Sequence, residues 1–135
     1  MDTITLLQEL NLSSYIALDL ETTGLDPYSS NITEVSALKF VDGEATDEFT
    51  SLVNPEQFIP EEIVELTGIN NSMVRGKPKI GDLLPSLIEF IGNTPIVGQN
   101  ISFDLSFLNY NCRKNGQSFP QLVIYDTLPL SKTFL

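Results

Sequence analysis

Two acids stand two residues apart in the run YIALDLET, Asp19 and Glu21. If that run is a strand, its period-two geometry sends both carboxylates to one face and turns Leu20 to the other, into apolar packing. Two carboxylates held side by side are half of an oxygen cage for a hard divalent cation such as Mg2+ or Mn2+, which binds through one or two carboxylates, water and substrate phosphate. Thr22, Thr23 and Gly24 follow at once, two hydroxyls and a glycine where backbone can come close to a ligand. By pattern alone, Asp19 and Glu21 also read as two solvated loop acids. A third acid, Asp104, lies in GQNISFD ahead of a helical stretch. In isolation it reads as a helix-start aspartate answering the N-terminal dipole, an effect of about 0.3–1 kcal/mol.

Other chemistries are closed off by residue types. The chain has no histidine and a single cysteine, Cys112, which excludes a conventional zinc site, a histidine base and an intramolecular disulfide. Seven basic residues against eighteen acidic give a net charge of −11, the opposite of the broad basic footprint that holds duplex DNA through its phosphates. Tight binding along a nucleic-acid backbone is therefore not expected. Acidity is compatible with carboxylates that hold cations, because a bound metal reverses the field an incoming phosphate meets. Most of the eighteen acids read as solvated surface. The start MDTITLLQEL lacks a basic segment and a long apolar core, and no run approaches the 18 apolar residues of a membrane span. A soluble, reducing, cytoplasmic setting is expected.

The elements that must position these acids are legible from periodicity. At 135 residues with 41% apolar content, the chain is long enough for one hydrophobic core and too short for two ordinary domains, so residues 1–135 read as one domain. Ile4, Leu6, Leu7 and Leu10 suggest a short helical lead-in within residues 1–13. YIALDL is a compact buried strand, and ETTGLDPYSSN a loop, so Asp19 and Glu21 fall at a strand's end. Residues 32–41 and 45–53 are strand-like, and the Asp42-Gly43 pair between them predicts a hairpin. Pro60 in a first turn with Glu61 and Glu62 at the dipole's positive end predicts a helix stopped by Gly68, and a short helix follows Asn71. Ile80, Leu83, Leu84, Leu87, Ile88 and Ile91 recur at helical steps up to Gly92. TPIVGQN reads as a short buried strand breaking at Gly98. SFDLSFLNYNCRKNG reads as a helix capped by Ser102 and stopped by Gly116, with Phe103, Phe107 and Tyr110 along one stripe. LVIYDTLPL closes the series as a strand leading into a turn or a helix start. Hairpins followed by alternating strands and helices imply an α/β domain with a mixed sheet flanked by helices.

With the elements in order, DLETTGLDP resembles the first motif of the DEDD (DnaQ-like) superfamily of 3′-to-5′ exonucleases, and GQNISFD resembles the segment bearing that family's third metal-binding acid. Between them, VNPEQFIPEEIVELTGI resembles the segment after the hairpin in polymerase-associated members of the epsilon-subunit type. There the turn Leu66-Thr67-Gly68-Ile69 would lie beside the substrate cleft. The resemblance covers most of the chain and implies a ribonuclease H-like sheet. It implies that Asp19, Glu21 and Asp104 bind two divalent metal ions, Mg2+ or Mn2+, about 3.5–4 Å apart. It assigns Thr22, Thr23, Gly24, Leu25, Asn100 and Phe103 to the terminal nucleotide, although Phe103 reads equally as a core phenylalanine. The implied reaction is hydrolysis of single-stranded DNA, or RNA, from its 3′ end with release of nucleoside monophosphates. A replicative polymerase is the implied partner.

The family pattern also breaks. A histidine or tyrosine base followed by a fourth metal-binding aspartate is expected a few tens of residues beyond YDTLPL, and the chain ends at Leu135. Asp126 matches a family aspartate at the end of a core strand, and its expected role is to cap the helix that follows it. The chain is expected to be C-terminally incomplete, either a fragment or a short relative with reduced catalysis. It would leave an apolar strip over which two copies associate as a homodimer. The competing function is a catalytically silent module that binds metal or nucleotide on the same fold.

Overall fold

Alternation along YIALDLET decides which way each side chain of the first strand faces, and hence where its acids go. A computed structural model describes residues 13–127, in which β1 spans Ser14–Thr22. Ile16, Leu18 and Leu20 are buried on one face of β1, while Asp19 on the other is exposed. β2 (Ile32–Val41) and β3 (Glu44–Leu52) extend the sheet antiparallel to β1, Asp19 pairing with Ser36 and Glu21 with Glu34. The turn between β2 and β3 carries positive φ at both central residues, 52° at Asp42 and 84° at Gly43. That is the backbone of a two-residue hairpin whose twist matches its strands, as the Asp-Gly pair predicts. β3 lies at the sheet edge, with Glu44, Asp47 and Glu48 exposed along it, and such charge deters edge-to-edge pairing with another chain.

The chain then forms α1 (Glu61–Thr67), α2 (Asn71–Val74) and α3 (Ile80–Ile91) before returning to the sheet. Pro60 precedes α1 as its extended N-cap rather than lying in its first turn, and Gly68 ends the helix in the left-handed conformation, φ 77°. Asn70 caps α2 by accepting from the Met73 N–H. α3 begins and ends where the apolar periodicity places it. Pro85 inside it has no N–H to offer the Gly81 carbonyl, yet the helix continues to Gly92. β4 (Ile96–Gly98) joins β1 in parallel, α4 (Ile101–Lys114) follows, and β5 (Ile124–Asp126) pairs in parallel with β4. The sheet order is β3-β2-β1-β4-β5, a mixed sheet of the expected kind.

One face of the sheet carries the main core. Ile16, Leu18 and Leu20 pack with Val35, Ala37 and Ile96 against Leu84, Leu87 and Ile91 of α3 and Ile101, Phe107 and Leu108 of α4. Cys112 lies in the same core, where burial pushes its thiol up and away from the reactive thiolate. On the opposite face Tyr15 stacks on Phe40, centroids 5.1 Å apart, beside Val97 and Tyr125. A satellite core of Ile59, Ile69 and Val74 fastens α1 and α2 to the end of β3. Phe107 is fully buried at the centre of the α4 interface. Phe107→Ala is expected to cost about 3–5 kcal/mol, read as a lower urea midpoint with native far-UV circular dichroism before unfolding.

The helical lead-in expected within residues 1–13 falls almost wholly outside the described residues, as does the chain after Thr127. Among the described residues no helix is long and apolar enough to cross a membrane.

Candidate active site

β4 is shorter than β1, and the site lies where they part company. Ile16 and Ala17 pair with Ile96 and Val97, and after Gly98 the chain leaves the sheet. The beginning of α4 fills the place beside the end of β1, where the Leu20 N–H is turned to the Asp104 carboxylate. Gly98 permits the approach. A Cβ there would stand 2.7 Å from Ile101 Cδ1 and 2.9 Å from the Leu18 carbonyl oxygen. Asp104, in the first turn of α4, is only 4% exposed, and its Oδ2 has no hydrogen-bond partner.

Three acids share this corner, and their charges act on one another. Burial chiefly, then the negative charges of Asp19, Glu21 and Asp126, push the Asp104 carboxyl up from 3.8 to about 7, although the Leu20 N–H pulls the other way. Glu21 is also raised, first by burial, then by Asp19 and by Glu34, its cross-strand partner. The donors fit a hard divalent cation by their chemistry. They are all carboxylates, one of them buried with an unpartnered oxygen, in a field of like charge that a cation would relieve. Among the described residues, no three acids or cysteines already stand close enough to grip an ion unaided. Asp19, Glu21 and Asp104 therefore make an open corner rather than a closed cage.

Beside Glu21 lies a groove of about 170 Å³ lined by Leu20, Thr22, Gly24, Leu25 and Phe103, and by Ile63, Leu66 and Thr67 of α1. Leu25 and Leu66 are 85% and 80% exposed, an unusual condition for leucines and one that gives the groove two apolar lips. The loop bearing Leu25 is braced from behind. The Thr23 N–H donates to the Asn31 carbonyl at 2.8 Å, the Asn31 N–H returns to Thr23 Oγ1 at 2.9 Å, and Thr23 Oγ1 donates to Gln57 Oε1. Asn31 Nδ2 reaches the Pro55 carbonyl at 2.7 Å and Gln57 Nε2 the Ser29 carbonyl at 3.2 Å. At Gly24 a Cβ would lie 2.5 Å from Ser30 Oγ, so a side chain there would require the Ser30 hydroxyl to turn aside.

The sequence model of the RNase_T exonuclease family matches residues 16–135. The chain belongs to this exonuclease family. As an RNase_T exonuclease it is 40% identical over 118 residues to the PolC-type DNA polymerase III of Clostridium perfringens, a match covering 87% of this chain and 8% of that protein. It is 38% identical over 107 residues to the DNA polymerase III subunit epsilon of Aquifex aeolicus, covering 78% of this chain and 53% of the relative. The chain thus spans about half the length of one curated relative and a small part of the other. Its fold matches E. coli exonuclease I, solved in complex with a 5cy-dA13 oligonucleotide, at a TM-score of 0.79 and 17% identity over 90% of this chain and 29% of that one. The ribonuclease H-like architecture expected from the motifs is the one the chain adopts.

Within this RNase_T domain the residues singled out from the sequence divide into three groups. Asp19, Glu21 and Asp104 come together at the corner. Thr22, Gly24, Leu25 and Phe103 line the groove, Thr22 turning its hydroxyl to the Gly24 carbonyl at 2.6 Å. Thr23 and Asn100 do not line it. The Thr23 hydroxyl is spent on the brace to Asn31 and Gln57, and Asn100 is the left-handed residue that turns the chain into α4. Ser102 lies inside α4 and does not cap it, and Asp126 accepts from the amides that open α4, while the helix it is expected to cap runs beyond Thr127, outside the described residues. Of the stripe Phe103-Phe107-Tyr110, the first two touch at 5.0 Å, while Tyr110 meets the ring of Tyr28 edge-on. Glu34, Asn31 and Gln57 carried no local signal. Their parts depend on strand register and on contacts 8 to 34 residues away.

Proposed function

We propose that this domain hydrolyses single-stranded DNA from its 3′ end, releasing nucleoside monophosphates, with Asp19, Glu21 and Asp104 holding two divalent cations. The observation that carries the reading is a buried carboxylate with an unpartnered oxygen, Asp104, set beside Asp19 and Glu21 at the mouth of an apolar groove. Divalent cations bound there supply a Lewis acid for the phosphate and an activated water. The chain's own residues do the rest. Leu25, Leu66 and Phe103 offer faces to one base, and at about 170 Å³ the groove lies well below the roughly 300–1,000 Å³ of ordinary ligand pockets, so it suits a single base. That selects an unpaired end, because a base held in a duplex cannot enter. In the empty site Asp104 holds a proton through pH 6, and it gives that proton up when it becomes a ligand.

The identity to polymerase III proteins supports DNA over RNA and a replicative polymerase as the partner. Association of two copies as a homodimer is tested by sedimentation, and a mass with no concentration dependence would sink it. The decisive assay is Mn2+- or Mg2+-dependent digestion of a 5′-labelled single strand by this chain, by any longer natural form, and by Asp19→Ala. Stepwise shortening from the 3′ end, lost on Asp19→Ala by about a thousandfold or more, is expected. Metal binding without shortening in any form would mark a silent module instead.

A further inference from the structure

α4 starts without a cap of its own. Asn100 at its N-cap takes the left-handed conformation, φ 53° and ψ 45°, and its side chain accepts nothing from the helix. The first N–H groups of a helix have no partner within it, and something else must take them. Here it is an acid from another strand. Asp126, the last residue of β5, accepts from Asn100 N–H through Oδ1 at 3.0 Å and from Ile101 N–H through Oδ2 at 3.2 Å. Both oxygens of one carboxylate thus grip two successive amides at the helix start. Thr127 adds a long bond from its Oγ1 to the Gly98 carbonyl at 3.4 Å, tying the same strand end to the residue where the chain leaves the sheet.

We infer that Asp126 is a positioning residue for the metal site, acting through the start of α4 to set Asp104 opposite Asp19 and Glu21. Asp104 lies three residues beyond Ile101, on the first turn that Asp126 anchors. A left-handed residue at the helix start leaves the direction of that turn dependent on what holds its amides, and a two-oxygen grip fixes both tilt and rotation where one bond would leave a swivel. The charge has a second effect, since Asp126 adds to the negative field at Asp104. The inference rests on reading Asp19, Glu21 and Asp104 as metal ligands.

The test uses the metal-free full chain and titrates Mn2+ by calorimetry, 20 °C or more below the unfolding midpoint of every variant. Asp126→Asn keeps one acceptor oxygen and the side chain's size while removing the second acceptor. A partner that orients a ligand typically accounts for 10–100-fold in metal affinity. Asp126→Asn is therefore expected to weaken Mn2+ binding at least tenfold and to shift the Asn100 and Ile101 amide resonances. Ile88→Val, a core change remote from the corner, controls for lost stability and is expected to leave the affinity within twofold. Mn2+ affinity within twofold of wild type in Asp126→Asn, together with a lowered unfolding midpoint, would make Asp126 a stabilising cap and overturn the inference alone. Wild-type protein that binds no Mn2+, or binds it equally well as Asp19→Ala, would overturn the ligand reading and this inference with it.

Discussion

Asp104→Asn is expected to raise the thermal midpoint of the metal-free protein at pH 8 while removing its response to Mg2+. In the fold the Asp104 carboxyl holds its proton to about pH 7, whereas in the unfolded chain it releases it near 3.8. Between those values the native state binds a proton that the unfolded state does not, so stability falls as pH rises through that window, and the full cost remains above it. The interval bounds the cost at about 4 kcal/mol, at roughly 1.4 kcal/mol per pH unit. Water at exposed Asp19 screens part of this, leaving about 2 kcal/mol. For a chain of this size that corresponds to roughly 5–10 °C. Asparagine keeps the shape and drops the charge. Calorimetry in EDTA from pH 4 to 9 reads the difference directly, as a variant that gains on wild type with every step toward pH 8. Equal midpoints at pH 8 would mean that ionising Asp104 in the empty site costs the fold nothing. Saturating Mg2+ should restore wild type, because a ligand bound only by the native state stabilises it, and should leave the variant unmoved.

Gly98→Ala should damage both halves of the corner at once. The added methyl meets the Leu18 carbonyl oxygen at 2.9 Å, backbone that cannot turn aside, and the Ile101 side chain at 2.7 Å. Relief requires moving β1, which carries Asp19 one residue on, or the start of α4, which carries Asp104. Overpacking of this kind typically costs about 1–3 kcal/mol, and a value near the top is expected because one obstacle is main chain. Urea denaturation gives the stability loss, and Mn2+ titration of the folded variant should show affinity down by tenfold or more. A variant of wild-type stability and affinity would mean that β4 and α4 have slack at this corner.

How much of this could be read in advance depended on the distance over which each feature is decided. The Asp42-Gly43 turn, the stop at Gly68 and the helix from Ile80 to Ile91 rest on steric rules and periodicities confined to a few residues, and they fall where the sequence places them. The same holds for Asp19 and Glu21, whose shared face follows from strand alternation. Asn100 and Asp126 show the limit. Ser102 is a good capping residue in a capping neighbourhood, but the chain enters α4 through a left-handed asparagine and borrows a carboxylate from β5. Nothing within ten residues of either partner announces that pairing. Thr23 misleads for a similar reason. Its place among the hydroxyls after the acids suggests contact with substrate, whereas Asn31 and Gln57, supplied by later loops, draw its hydroxyl inward.

The two neighbours of β1 are reached on very different terms. β2 follows after a short loop, so the antiparallel ribbon of β1, β2 and β3 can zip up from local contacts. The other edge waits for Ile96, about eighty residues after its partner Ile16, and closing a loop of that size is what slows the folding of sheets with long-range pairing. During synthesis at about 5–20 residues per second, Asp19 and Glu21 leave the ribosome several seconds before Asp104 does. A nascent chain thus carries two acids on a formed hairpin strand and no third. On the proposed assignment of Asp104 as the third ligand, the set is completed only with the last parallel strands, so an unfinished chain would be a poor competitor for divalent cations.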